Sequence, residues 1–233
     1  AVVALGLSAA SSAAFAAEPE AAHVDVSFSK MNKDDDGTRF GLNSGFEYQL
    51  FPDYNLQLNS GANHFGESDE TQGDLSAHLI FTPQESFATG AYLGYEGFDG
   101  YDAIFGGIEG RLDLGHLTAQ TYFQIGEAEN TEFRSWGASA RYTVCPGLSL
   151  GVFFDDIELP GAIDVNRYGA SLDYRLNNRF GLFAKLGGTE TSGSGGSGRM
   201  DAEFVEIGAR FLFGGNGRTT FDRRAAFGIL PGG

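Results

Sequence analysis

Cysteine is nearly absent from this chain. Cys145 stands alone in 233 residues, which excludes an internal disulfide framework and a zinc site built from several thiolates; beside Pro146 and Gly147 it reads as a turn residue. Positive charge is scarce too. Fifteen Lys plus Arg face 31 Asp plus Glu, a formal net charge of −16, so the chain lacks the basic footprint that displaces counterions from nucleic acid, and no nucleic-acid partner is expected. No segment after residue 20 approaches the roughly 18 apolar residues of a membrane-spanning helix. What the chain does have is 35 Gly, 21 Phe and 9 Tyr, a composition that favours strands, turns and aromatic girdles over helices.

The first residues, AVVALGLSAASSAAFAAEPE, are small and apolar, and Ala14-Phe15-Ala16 supplies an A-x-A cleavage pattern. Residues 1–16 are read as a secretory signal peptide. Exported chains without a stop-transfer helix are periplasmic, secreted, or barrels of an outer membrane.

Period-two alternation decides among these. Tyr168, Ala170, Leu172, Tyr174 and Leu176 share one face while Arg167, Gly169, Ser171, Asp173 and Arg175 share the other; Asn177-Asn178 turns the chain into a returning strand with Leu182, Ala184 and Leu186 opposed to Phe183 and Lys185. Val205, Ile207, Ala209, Phe211 and Phe213 alternate with Phe204, Glu206, Gly208, Arg210 and Leu212. Earlier segments repeat the pattern: Val24–Met31, Phe40–Phe51, Tyr54–Asn63, Leu75–Phe81, Phe87–Tyr95, Ile104–Leu114, Leu117–Ile125, Phe133–Val144 and Leu148–Asp155. One uniform apolar face against a face mixing Gly, Ser, amides and charges of both signs suits a strand between hydrocarbon and a wet lumen. The expected fold is all-β: a transmembrane antiparallel up-and-down β-barrel of about 12 strands (10–14), over residues 17–213, each strand about 9–11 residues long.

Connections alternate in length. Pro52-Asp53, Thr82–Ser86, Gly115-His116, Cys145–Gly147 and Asn177-Asn178 are short, while the intervening ones, including GESDETQGD, EGFDGYD and EAENTE, are long, acidic or rich in Gly and Ser. An even strand number leaves both barrel termini on the periplasmic side. From about Val24 to Phe213 the chain resembles a Gram-negative outer-membrane barrel of the porin-like kind, and Arg210-Phe211-Leu212-Phe213 is similar to the aromatic ending of such barrels. Residues 214–233 depart from that pattern by continuing past it. They are expected to form a periplasmic tail whose Arg218, Arg223 and Arg224 touch the acidic lumen mouth or the cell wall.

Residues assigned to the lumen face, and to selectivity along it, are Glu47, Glu96, Glu109, Arg111, Asp113, Arg141, Arg167, Asp173, Arg175, Lys185, Glu206 and Arg210. Acidic connections at Asp34-Asp35-Asp36, Glu67–Glu70, Glu127–Glu132 and Asp155–Glu158 would concentrate cations at the mouth. Asn32, Asp34, Asp36 and Gly37 match the opening of an EF-hand loop, but Asn43 stands where its closing Glu belongs, so no metal is assigned. Tyr48, Tyr54, Trp136, Tyr142 and Tyr168 are candidates for interfacial girdles. Of the four histidines His23, His64, His78 and His116, none has a recognisable set of catalytic partners, although Ser60 and Ser68 flank His64.

The resemblance implies a channel for passive diffusion of small hydrophilic solutes or ions, cation-preferring on the acidic composition, in the cell outer membrane and without cofactor. It implies contact with outer-membrane lipid and lipopolysaccharide and allows a homo-oligomer. Two other readings remain open: a barrel hydrolase of lipid or peptide, and a plugged structural or adhesion barrel.

Overall fold

A computed structural model describes residues 19–32, 37–66, 70–98, 100–159, 163–193, 200–214 and 217–226. The expected signal segment 1–16, the acidic run 34–36 with Asp34 and Asp36 of the EF-hand-like pattern, and residues 67–69 lie outside the described residues. Twelve strands form: β1 (Ala21–Asn32), β2 (Thr38–Phe51), β3 (Tyr54–Phe65), β4 (Thr71–Gln84), β5 (Phe87–Phe98), β6 (Tyr101–Leu114), β7 (Leu117–Ala128), β8 (Thr131–Cys145), β9 (Leu148–Leu159), β10 (Ile163–Arg175), β11 (Phe180–Gly193) and β12 (Met200–Phe213). Each pairs antiparallel with its chain neighbours, and β1 closes on β12 with Ala22 opposite Phe213 and Asn32 opposite Glu203. Closure leaves no unpaired edge, the condition for strands in a solvent that cannot hydrogen-bond to backbone.

Alternation places the side chains as the sequence implies. Leu93 is 71% exposed and Ile104 67% on the outside, whereas Gln57, Gln72, His78 and Glu96 inside are fully buried. A water-soluble fold buries its apolar set; this barrel does the reverse, and its outer face suits hydrocarbon. Tyr54, Tyr142 and Trp136 are among the exposed aromatics, and so is Tyr168. Five short connections mark one end of the barrel, called here the turn end, which also carries the start of β1 and the end of β12.

Strands run longer than the alternation suggests, 12–15 residues each, because they absorb segments that look like loops. EGFDGYD is almost entirely β5 and β6, and EAENTE reduces to Glu129 (φ 47°) and Asn130 (φ 67°), a two-residue turn whose left-handed backbone follows the twist of the hairpin. Pro83, expected to end the fourth strand, lies within β4, where the ladder to β5 shifts between Phe81 and Gln84 and an amide donor is not needed.

Candidate functional site

All twelve predicted lumen residues lie on inward-facing positions, but the lumen they line is occupied. Gly214 (φ 77°) and Gly217 (φ 72°) take backbone conformations that L side chains rarely adopt, and the chain turns back into the barrel after β12. Residues 217–226 then climb from the turn end toward the opposite, loop end. The described part of the tail is therefore inside the barrel and not the periplasmic extension expected from its position.

The wall formed by β2–β7 holds the tail step by step. Thr220 donates from its N–H (2.6 Å) and Oγ1 (2.8 Å) to Glu47, while its carbonyl accepts from Arg111 Nη1 (2.8 Å) and Gln120 Nε2 (3.3 Å). Gln57 reads the next residue as a neighbouring strand would: its Nε2 donates to the Phe221 carbonyl (2.9 Å) and its Oε1 accepts the Phe221 N–H (3.1 Å). The Phe221 ring is fully buried against Ile80 and Ala88, two apolar residues facing inward. Arg223 pairs with Asp74, and the guanidinium lies over Gly61, where a Cβ would require both side chains to shift. Arg224 reaches Glu109 (3.0 Å) and stacks 4.2 Å over the Tyr122 ring. At the loop end the Ala226 N–H donates to Glu96, and the residue is enclosed by Tyr92, Phe105, Phe133, Ile157 and Val165.

The wall formed by β8–β12 and β1 is different. Arg167 lies over Phe204 (4.9 Å) and Phe153 (5.4 Å), and Phe183 carries Arg210 (5.3 Å) and Lys185 (5.6 Å) on its ring. Arg210 forks onto Asp25 (2.7 and 2.5 Å) and also meets Asp173 (3.2 Å); Lys185 pairs with Glu206 (3.3 Å). A cavity of about 260 Å³ separates this wall from the tail, bridged by Arg218 to Asp173 (3.3 Å) and, more loosely, Asp222 to Arg141 (3.9 Å). Burial would raise the Asp222 carboxyl, but Arg141, Arg218, Arg224 and Arg210 hold it well below the usual carboxylate range. A second space, about 390 Å³, opens at the turn end beside Arg111, Asp113 and Arg175.

One histidine gains partners that the sequence does not reveal. His78 Nδ1 lies 2.5 Å from Glu109 and its Nε2 lies 3.0 Å from Ser76 Oγ, the order of a nucleophile, base and orienting carboxylate. Asn59 Nδ2 approaches the same Nε2 (2.9 Å), and the imidazole stacks on Tyr92. All of these groups are buried, and Arg224 takes the other Glu109 oxygen. The cluster is a closed hydrogen-bond network under the tail. Among the described residues no group of His, Cys, Asp and Glu is arranged for a metal ion.

No protein-family model and no curated protein matches the sequence. Solved structures do match in shape. The KdgM porin in complex with disordered oligogalacturonate aligns over 82% of this chain and 99% of its own, with a TM-score of 0.62 at 10% identity. Its fold is that of an outer-membrane porin. An outer-membrane channel from Pseudomonas putida F1 covers 84% of the chain and 96% of its own (TM-score 0.61, 12% identity). An anion-selective porin from Comamonas acidovorans covers 83% and 98% (TM-score 0.51, 9% identity). At such identities the likeness is one of backbone fold.

Proposed function

We propose that the chain is an outer-membrane channel for passive movement of small hydrophilic solutes or ions, narrowed by its own residues 217–226. The observation that carries this reading is the inverted barrel: an apolar exterior around a polar, charge-lined interior that is not filled by wall side chains alone. Lipid and lipopolysaccharide are its surroundings in that setting, and signal-directed export is its route there. The cation preference expected from the acidic composition draws no support from the open space. Glu47, Asp74, Glu96 and Glu109 are engaged by the tail, and the cavity that remains is bordered by seven Arg or Lys and four Asp. With the tail seated, small anions are the favoured solutes. With the tail withdrawn, the freed carboxylates favour cations.

Planar-bilayer recording on the full chain tests this. Small, discrete conductance steps with a reversal potential on the anion side are expected, rising severalfold when Phe221, Arg223 and Arg224 are all replaced by Ala. Absence of steps from either protein, once insertion is verified, removes the channel reading.

A hydrolase reading has one observation in its favour, the Ser76–His78–Glu109 order. Labelling of Ser76 by a fluorophosphonate probe would establish it. No labelling is expected of the wild-type chain, because Ser76 is buried and already shared with Asn59.

A further inference from the structure

We infer that the β2–β7 wall is a binding site for extended peptides carrying an aromatic residue followed, two and three positions on, by basic residues, and that the tail is its built-in occupant. The inference deepens the channel reading by naming a ligand class for the lumen, and the structure carries it through the way each feature of the tail is read. Gln57 binds both backbone groups of one residue, which selects an extended peptide over a compact solute. Ile80 and Ala88 form an apolar socket, separate from the apolar cluster around Ala226, and the Phe221 ring fills it. Asp74 with Gly61, and Glu109 with Tyr122, each receive one guanidinium, the first by leaving space over a glycine and the second by offering an aromatic face.

The occupant does not satisfy its site in full. Asp74 Oδ1 and Gln124 Nε2 are buried, 4% and 1% exposed by residue, and have no hydrogen-bond partner among the described residues; the same holds for Arg224 Nη2. A guanidinium laid bidentate on Asp74 would meet both carboxylate oxygens where Arg223 meets one. A site whose covalently tethered segment leaves buried polar atoms unmet is one that a free segment can contest, since each unmet group retains its desolvation cost.

The test uses a fluorescein-labelled peptide of residues 217–226 and the purified full chain in detergent, with folding of every variant verified by heat-dependent gel mobility. The tail-disabled chain, carrying Phe221→Ala, Arg223→Ala and Arg224→Ala, is expected to bind the peptide saturably by fluorescence anisotropy. Wild type should bind it about tenfold or more weakly, because a tethered competitor acts at an effective concentration on the order of millimolar. Adding Asp74→Asn to the tail-disabled chain should abolish binding, and a peptide with the arginines at positions 223 and 224 replaced by glutamine should not bind. A folded tail-disabled chain that binds no peptide, or binds it equally with Asp74→Asn or with the glutamine peptide, overturns the inference. Anisotropy needs no conduction, so bilayer silence would remove the channel reading while leaving peptide binding to stand or fall by itself.

Discussion

The two halves of the barrel interior are built from the same kinds of residue and do different things. Along β2–β7, carboxylates and amides face inward with few wall cations to meet them: Glu47, Asp74, Glu96 and Glu109 all direct an oxygen at the tail. Along β8–β12 and β1 the wall supplies both signs, so Arg210 meets Asp25, Lys185 meets Glu206, and phenylalanine rings take up the guanidinium faces. A wall that is complete in itself can be left facing water. An incomplete one needs an occupant, and the chain provides it from its own C-terminal end.

The sharpest way to break this contrast is to remove a tail cation. Arg224→Ala would leave Glu109, whose side chain is fully buried, without its counter-charge, a loss on the order of 3–5 kcal/mol that withdrawing the tail and wetting the wall relieves. Single-channel conductance is expected to rise severalfold. The matching change on the other wall, Lys185→Ala, touches a pair whose cation is 37% exposed, and should cost about 0–1 kcal/mol and leave conductance unchanged. Equal effects of the two substitutions would erase the distinction between the walls.

Phe221→Ala comes next. Emptying a fully buried aromatic site typically costs about 3–5 kcal/mol, here measured against a tail that can leave, so part of the cost appears as withdrawal and not as unfolding of the barrel. Trypsin should then cut after Arg223 or Arg224 at least severalfold faster than in wild type, with the barrel fragment otherwise intact. Unchanged cleavage would mean that the Ile80 and Ala88 socket does not anchor the tail.

How far the sequence alone leads depends on the range of the interaction. Strand number and facing follow from period-two alternation, a local property, and so the inward positions of Glu109, Arg111, Asp173 and Arg210 are legible from their neighbours. Strand ends are less so, because Glu127, Ala128, Thr131 and Glu132 become strand by pairing across a two-residue turn, and a run of acids and Asn resembles a loop when read singly. The tail's place is invisible to any periodic argument, since residues 217–226 have none. Signals for it do exist in retrospect: Ile80 inward among Gln, Ser and His, and a tail with an aromatic and three arginines facing a wall short of cations. Each makes sense only once Phe221 and Ile80, 141 positions apart in the chain, are known to touch. Ser76, His78 and Glu109 illustrate the same limit, since β5 separates β4 from β6 and its Tyr92 stacks on the imidazole between them.

On the open wall, Arg167→Gln with Lys185→Gln should move the reversal potential toward cations with little change in conductance, because both side chains border the 260 Å³ cavity and lie against wall residues, Arg167 on Phe153 and Phe204 and Lys185 on Glu206 and Phe183. The direction is what matters: the same pair of charges removed from the tail should also favour cations but raise the conductance. A shift toward anions on the open wall would contradict the charge reading of the cavity.

The smallest effect sits where the halves meet, at Asp222. Its carboxyl is held low by arginines of both the wall and the tail, so in the seated state it stays ionised below the ordinary value of 3.8, while in a withdrawn tail it titrates near that value. A depressed carboxylate stabilises the state that depresses it at pH values above the ordinary one and loses that contribution as pH falls through the lowered one. The contribution of Asp222 to seating is therefore full and constant between pH 7 and 5 and shrinks toward pH 3, as the withdrawn tail takes up a proton that the seated one refuses. The informative quantity is a difference between two proteins, in which the contributions of all other groups cancel. Asp222→Asn should weaken seating at pH 7 by about 1 kcal/mol or less, given a 3.9 Å contact to Arg141 and a side chain that is 47% exposed. It should also flatten the rise in conductance between pH 5 and pH 3. If wild type and Asp222→Asn gain conductance in parallel over that interval, the bridge to Arg141 contributes nothing to holding the tail.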